Sequence, residues 1–192
     1  MHQFLFDYIS KYMPLTEDEK KVILDLNLFK EVKKGTVLLS EGEKSNLGYF
    51  VIKGCIRKFY IIDGEEKTTN FYTEFQGEVP ECAINNKPSA YYLACSEDSI
   101  ISASSSKLDE EVFAKFPRFE TLCRIVSEDL LVKSQSSLDE FKNSSPSKRY
   151  ENLMATRPDL IQRIPQHQLA SFLGIAPQSL SRLKARLIKT KK

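Results

Sequence analysis

The chain has 192 residues, 41% of them hydrophobic and 28% charged, with a formal net charge of +2. That is a globular composition, long enough for one full-sized domain or two small ones. No apolar run approaches the ~20 residues of a membrane span, and the N-terminus MHQFLFDYIS lacks the basic region and cleavage site of a secretory signal. A cytoplasmic protein with no membrane partner is therefore expected.

Residues 3–30 read as helical. Leu5, Ile9 and Tyr12 recur at helical spacing. Thr16 with Glu19 three residues on forms a capping box, behind which Val22, Ile23, Leu26 and Phe29 make one apolar stripe. From about 31 to 106 short runs rich in β-branched and aromatic residues alternate with turn signals. The runs begin at Thr36, Tyr49, Ile56, Thr68, Tyr91 and Ser99. Asp63-Gly64 between two of them marks a hairpin, because both residues tolerate positive φ. Many short strands at this spacing predict a closed sandwich, roll or barrel.

Helical texture returns over 107–142. Leu108 to Phe116 form a short helix that stops before Pro117, and Phe119 to about Phe141 form a helix of some six turns, roughly 33 Å long. A helix that long leaves apolar positions such as Leu130, Leu131, Leu138 and Phe141 for a dimer seam, or for packing within the monomer. Asn143-Ser-Ser-Pro146-Ser147 then reads as a linker.

The charge changes sign at that linker. Residues 1–145 hold 18 Lys and Arg against 24 Asp and Glu, a net of −6; residues 146–192 hold 10 against Glu151 and Asp159, a net of +8. A small basic segment on an acidic body is the layout of a nucleic-acid reader. Within it Leu169, Ala170 and Leu173 face inward on one helix, and Gly174 ends that helix at a positive-φ position. Ala176-Pro177 opens a second helix with Leu180, Leu183 and Leu187 on its buried face. The opposite face carries Gln178, Ser181, Arg182, Lys184, Ala185 and Arg186. This is the helix-turn-helix pattern, whose second helix enters the DNA major groove.

The four cysteines, at 55, 82, 95 and 123, form no close pair, and the only histidines are His2 and His167. Neither a metal site nor a Cys-bound cluster is supported, and no cofactor is expected. An enzyme of the cupin type needs several His in the strand region, which has none. The remaining alternative is a ligand-binding or scaffold module whose C-terminal helices mediate protein contacts.

Taken in this order, the elements resemble the Crp/Fnr superfamily of bacterial transcription regulators over nearly the whole chain. The resemblance implies an α+β fold: an N-terminal double-stranded β-roll of the cyclic-nucleotide-binding type, a long dimerisation helix, and a C-terminal helix-turn-helix (winged-helix-like) domain. It divides the chain into 1–106 (helices and sensor roll), 107–142 (dimerisation helix), 143–147 (linker) and 148–192 (DNA-binding domain). It implies double-stranded DNA and a second copy of the chain as partners, with RNA polymerase and an unidentified small-molecule effector as further candidates. By the family's pattern Pro177, Gln178 and Arg182 take base-reading positions, and Ser179, Lys184, Arg186 and His167 contact the DNA backbone, with Ser181 on the same face. Nucleotide-binding members carry Gly-Glu and, ten residues after the Glu, Arg-Ser-Ala or Arg-Thr-Ala. Here Gly77-Glu78 is followed at that distance by Pro88-Ser89-Ala90, so the effector pocket keeps its spacing and loses the arginine that would neutralise a cyclic phosphate. Cyclic AMP and cyclic GMP are not expected to bind. A basic tail over 189–192 ends the chain, where many relatives continue with a further strand.

Overall fold

The structure is a computed structural model that describes residues 2–26 and 28–190, without the side chains of His2 and of residues 187–190. The predicted burial of Leu187 and the tail over 189–192 therefore lie outside the described side chains.

Two short helices open the chain, α1 (His2–Ile9) and α2 (Glu17–Asp25). Thr16 caps α2 as its sequence promised: its hydroxyl accepts from the Glu19 amide while the Glu19 carboxylate accepts from the Thr16 amide. The helical reading to residue 30 is corrected here. Phe29 belongs not to that stripe but to strand β1 (Phe29–Val32). Its hydrophobic spacing fits either period, and pairing with a later strand decided the matter.

Seven further strands follow: β2 (Val37–Leu39), β3 (Leu47–Lys53), β4 (Ile56–Ile62), β5 (Glu65–Tyr72), β6 (Gly77–Glu78), β7 (Tyr92–Cys95) and β8 (Ser99–Ser105), with the short helix α3 (Glu81–Asn85) between β6 and β7. They form two antiparallel four-stranded sheets, ordered β1-β8-β3-β6 and β2-β7-β4-β5. The β4–β5 hairpin turns on Asp63 (φ 53°) and Gly64 (φ 77°), the primed geometry that matches strand twist. Alternate inward residues of both sheets, among them Leu39, Val51, Ile56, Leu93 and Ile101, meet in one core.

Helix α4 (Ser106–Lys115), capped by the Ser105 hydroxyl, leads to α5 (Pro117–Asn143), which starts on a proline whose absent N–H costs nothing there. At 27 residues α5 is about 40 Å long. Its first half packs on the roll through Leu122, beside Leu5 and Ile9 of α1 and Ile52 of β3. Its second half stands clear: residues 131–140 are all exposed.

Helices alone build the rest of the described chain: α6 (Pro146–Thr156), α7 (Pro158–Arg163), α8 (Gln166–Phe172) and α9 (Pro177–Thr190). The linker narrows to residues 144–145, since α5 runs on to Asn143 and the Ser145 hydroxyl already caps α6. Tyr150, Leu153, Leu160, Leu169, Ala170 and Leu180 form this part's own core. That core is continuous with the roll through Cys55 and Phe71, whose ring meets Phe172 edge-on at 5.4 Å. Among the described residues no helix is long and apolar enough to cross a membrane.

Candidate nucleic-acid interface

The turn between α8 and α9 is closed by two backbone hydrogen bonds. The Ile175 amide reaches back to the Ala170 carbonyl and the Gly174 amide to that of Ser171, each at 3.0 Å. This is a Schellman ending, which requires the left-handed backbone that Gly174 supplies at φ 71°. Ala170 and Leu180 are fully buried across the turn, so the two helices meet closely.

This packing directs the opposite side of α9 outward. Pro177, Gln178, Ser179, Ser181 and Arg182 are exposed together on its first turns, and His167 is exposed at the start of α8. The Arg182 guanidinium has no hydrogen-bond or ion-pair partner among the described residues. The Ser181 hydroxyl donates to the Pro177 carbonyl of its own helix. The Lys184 ammonium lies 6.0 Å from the Tyr150 ring centre, and Arg186, itself exposed one turn after Arg182, donates to the Ser147 hydroxyl. The structure thus gathers the expected base-reading residues on one exposed face, with Lys184 and Arg186 reaching toward α6 beside it.

The C-terminal helices are held to the roll by a second group of residues that sequence reasoning missed. Arg163, at the end of α7, donates to Glu97 through Nε (3.1 Å) and Nη2. It also donates to both oxygens of Glu74 at 3.0 Å and to the Gly54 carbonyl at 2.8 Å. Burial raises the Glu74 carboxyl, but hydrogen bonds from Arg163 and from the Gly54 amide outweigh it and hold the group below the ordinary range. Arg157 donates to the Thr73 hydroxyl. The Ser171 hydroxyl accepts from the Thr68 amide and donates to the Glu66 carbonyl, both on β5. Buried Cys55 lies in this joint, its thiol pushed up to about 12 by desolvation.

The candidate effector residues lie in the roll. Glu78, on β6, reaches across to the other sheet, where its carboxylate accepts from Lys58 Nζ at 2.6 Å, from the Tyr91 hydroxyl at 2.7 Å and from the Tyr72 hydroxyl. Burial, followed by this carboxylate, raises both phenols. Ser89 is buried and its hydroxyl donates to the Tyr91 carbonyl, while Pro88 and Ala90 are exposed. Gly77 pairs with Phe50 of β3. The Glu78 carboxylate and the Ser89 hydroxyl thus bond to the chain itself, and the cation beside them, Lys58, pairs with Glu78. Lys58 carried no distinguishing signal in the sequence, since Arg57 beside it is charged as well. Among the described residues no group of three or more His, Cys, Asp or Glu is placed to hold a metal ion.

No family model matches the sequence. No curated protein matches it either. Solved structures do match by fold. A CooA mutant from Carboxydothermus hydrogenoformans is 18% identical, with a TM-score of 0.66 over 91% of this chain and 82% of that one. CLP of Xanthomonas campestris, described as a c-di-GMP responsive global regulator, is 12% identical with a TM-score of 0.64 over 88% and 91%. FixK2 from Bradyrhizobium japonicum is 12% identical with a TM-score of 0.63 over 85% of each chain. The fold, a β-roll followed by a long helix and a helix-turn-helix, is the one these Crp/Fnr regulators share.

Proposed function

We propose that the chain is a DNA-binding transcription regulator of the Crp/Fnr type that acts as a homodimer, with α9 as its recognition helix. The observation that carries the reading is the free face of α9, where Gln178 and Arg182 stand exposed on a tightly closed turn. Arg182 is placed to make a bidentate contact to guanine and Gln178 to pair with adenine, while Ser179 and His167 are suited to phosphates. Lys184 and Arg186, which reach toward α6, are suited to the DNA backbone in the same way. The exposed apolar side chains of α5, Leu131, Val132 and Leu138, are the proposed dimer seam. Two-fold symmetry then sets two half-sites about 34 Å apart. A division at the 144–145 linker follows, with the sensor roll and α5 before it and the DNA reader after it.

The roll is proposed to work without a cyclic nucleotide, since Glu78, Lys58, Tyr72 and Tyr91 satisfy one another. The test is binding of the purified protein to a pool of random duplexes across a salt series, repeated with Arg182→Ala. The expected result is an enriched palindrome whose binding weakens with salt and falls about 5- to 150-fold in the variant. Equal binding by both proteins, or no enriched sequence, would refute it and favour a module for protein contacts.

A further inference from the structure

We propose that Arg149 is the positioning residue that sets the recognition helix against the long helix, and so fixes the spacing of half-sites the dimer accepts. The inference rests on the DNA-reading function above. The covalent link from α5 to the reader is only residues 144–145. A two-residue joint leaves several backbone torsions free, so the chain alone does not define an orientation.

The ties of Arg163, Arg157 and Ser171 run to the roll, and Asn152 donates to Glu140 near the end of α5. Arg149 on α6 is the residue that joins the end of α5 to the turn before α9. Its guanidinium lies 3.7 Å from the Phe141 ring centre in the last turns of α5. Its Nε donates to the Phe141 carbonyl at 3.1 Å and to the Ser144 carbonyl at 3.0 Å. Its Nη1 donates to the Leu173 carbonyl at 3.0 Å, the C-cap of α8. One rigid planar cation therefore satisfies the orphan carbonyls at the C-termini of two helices at once, where each macrodipole is negative. The turn is packed hard against it: a Cβ on Gly174 would lie 3.3 Å from Arg149 Nη1 and 3.6 Å from Phe141 Cζ. Pro177 begins α9 three residues later. Any play at this joint thus moves α9 directly, and one base-pair step of DNA is only about 3.4 Å. Lysine cannot reproduce the restraint, because a single ammonium lacks the planar fork that spans both helix ends.

The experiment uses the full chain and a palindromic duplex selected by the wild-type protein, with its central spacer shortened or lengthened by one and two base pairs. Wild type is expected to bind the best spacer about ten-fold or more tightly than its neighbours. In Arg149→Met and Arg149→Lys that preference should fall below about three-fold, while Phe141→Tyr keeps it. Thermal unfolding identifies any variant that does not fold, and Arg149→Lys is read if Arg149→Met fails. Variants that keep the wild-type ratio between spacers overturn the proposal, even if all their affinities drop together, because Arg149 then serves only stability. A wild-type protein that selects no sequence refutes the DNA reading instead, and this inference with it.

Discussion

Replacing Arg163 by methionine keeps much of the side chain's bulk and removes the group that joins the reader to the roll. The Arg163 side chain is 25% exposed, and its partners Glu74 and Glu97 are 26% and 28% exposed. The pair network therefore lies between a solvated ion pair, worth at most about 1 kcal/mol, and a buried one, whose disruption costs about 3–5 kcal/mol. The substitution would leave Glu97 and the Gly54 carbonyl without the Arg163 donor and Glu74 with the Gly54 amide but no cation, so a loss of about 2–3 kcal/mol is expected. With a urea slope of about 2 kcal/mol/M, the unfolding midpoint should fall by roughly 1–1.5 M. The chain contains no tryptophan, so far-UV circular dichroism is the natural probe. Combining Arg163→Met with Glu74→Gln isolates the pairwise part, and the double variant should be clearly less damaged than the two single losses added together. A midpoint shift under about 0.3 M in Arg163→Met would refute the reasoning, since water would then replace the guanidinium at no cost.

Three other expectations follow from the same geometry. Glu78→Gln removes the charge that Lys58, Tyr72 and Tyr91 share, and should destabilise the chain by about 2 kcal/mol in the same titration, whereas 1 mM cyclic AMP should leave the wild-type melting temperature unchanged. A ligand present at 100 times its Kd would add about 2.7 kcal/mol, which a melting curve detects easily. Because Glu74 has its folded pKa below the ordinary 4.5, its contribution is fully present above that value and is lost as pH falls through the lowered one. The urea midpoint should therefore decline on acidification below about pH 4.5, and less so in Arg163→Met; equal declines would argue against the Arg163 assignment. Charging the exposed face of α5 with Leu131→Glu and Leu138→Glu should yield a monomer in sedimentation velocity and weaken binding to a palindromic duplex. An unchanged dimer would move the seam elsewhere.

The parts legible in the sequence were those written in local chemistry. Asp63-Gly64 announced its hairpin, Thr16 and Glu19 their capping box, and Gly174 followed by Pro177 the end of one helix and the start of the next. What failed was non-local. Phe29 joined a sheet because β8, some seventy residues later, offers it a partner (its Cα faces Ser102). The tie from Arg163 to Glu74 and Glu97 spans 89 and 66 residues, and no spacing rule connects them. The Glu78 network draws on β4, β5 and the segment before β7, so the motif around Glu78 showed an interrupted pattern without revealing Lys58 as the nearby cation. Net charge likewise says nothing of partners: Arg182 and Arg186 count equally in the sequence, and both are exposed, yet only Arg186 bonds to Ser147.

The place of Ser171 has a consequence for how the molecule can be divided. Strand β5 is the last in its sheet, so one side of its backbone has no strand beside it. The Ser171 hydroxyl acts there as a one-residue substitute for a neighbouring strand, accepting from the Thr68 amide and donating to the Glu66 carbonyl. The first helix of the helix-turn-helix is thus also the guard of the roll's open edge. A roll cut away at the linker would carry a bare template for strand addition, and any excursion of the reader from its seat would uncover the same edge. Self-association of the truncated roll and movement of the intact reader are in this sense two outcomes of one release.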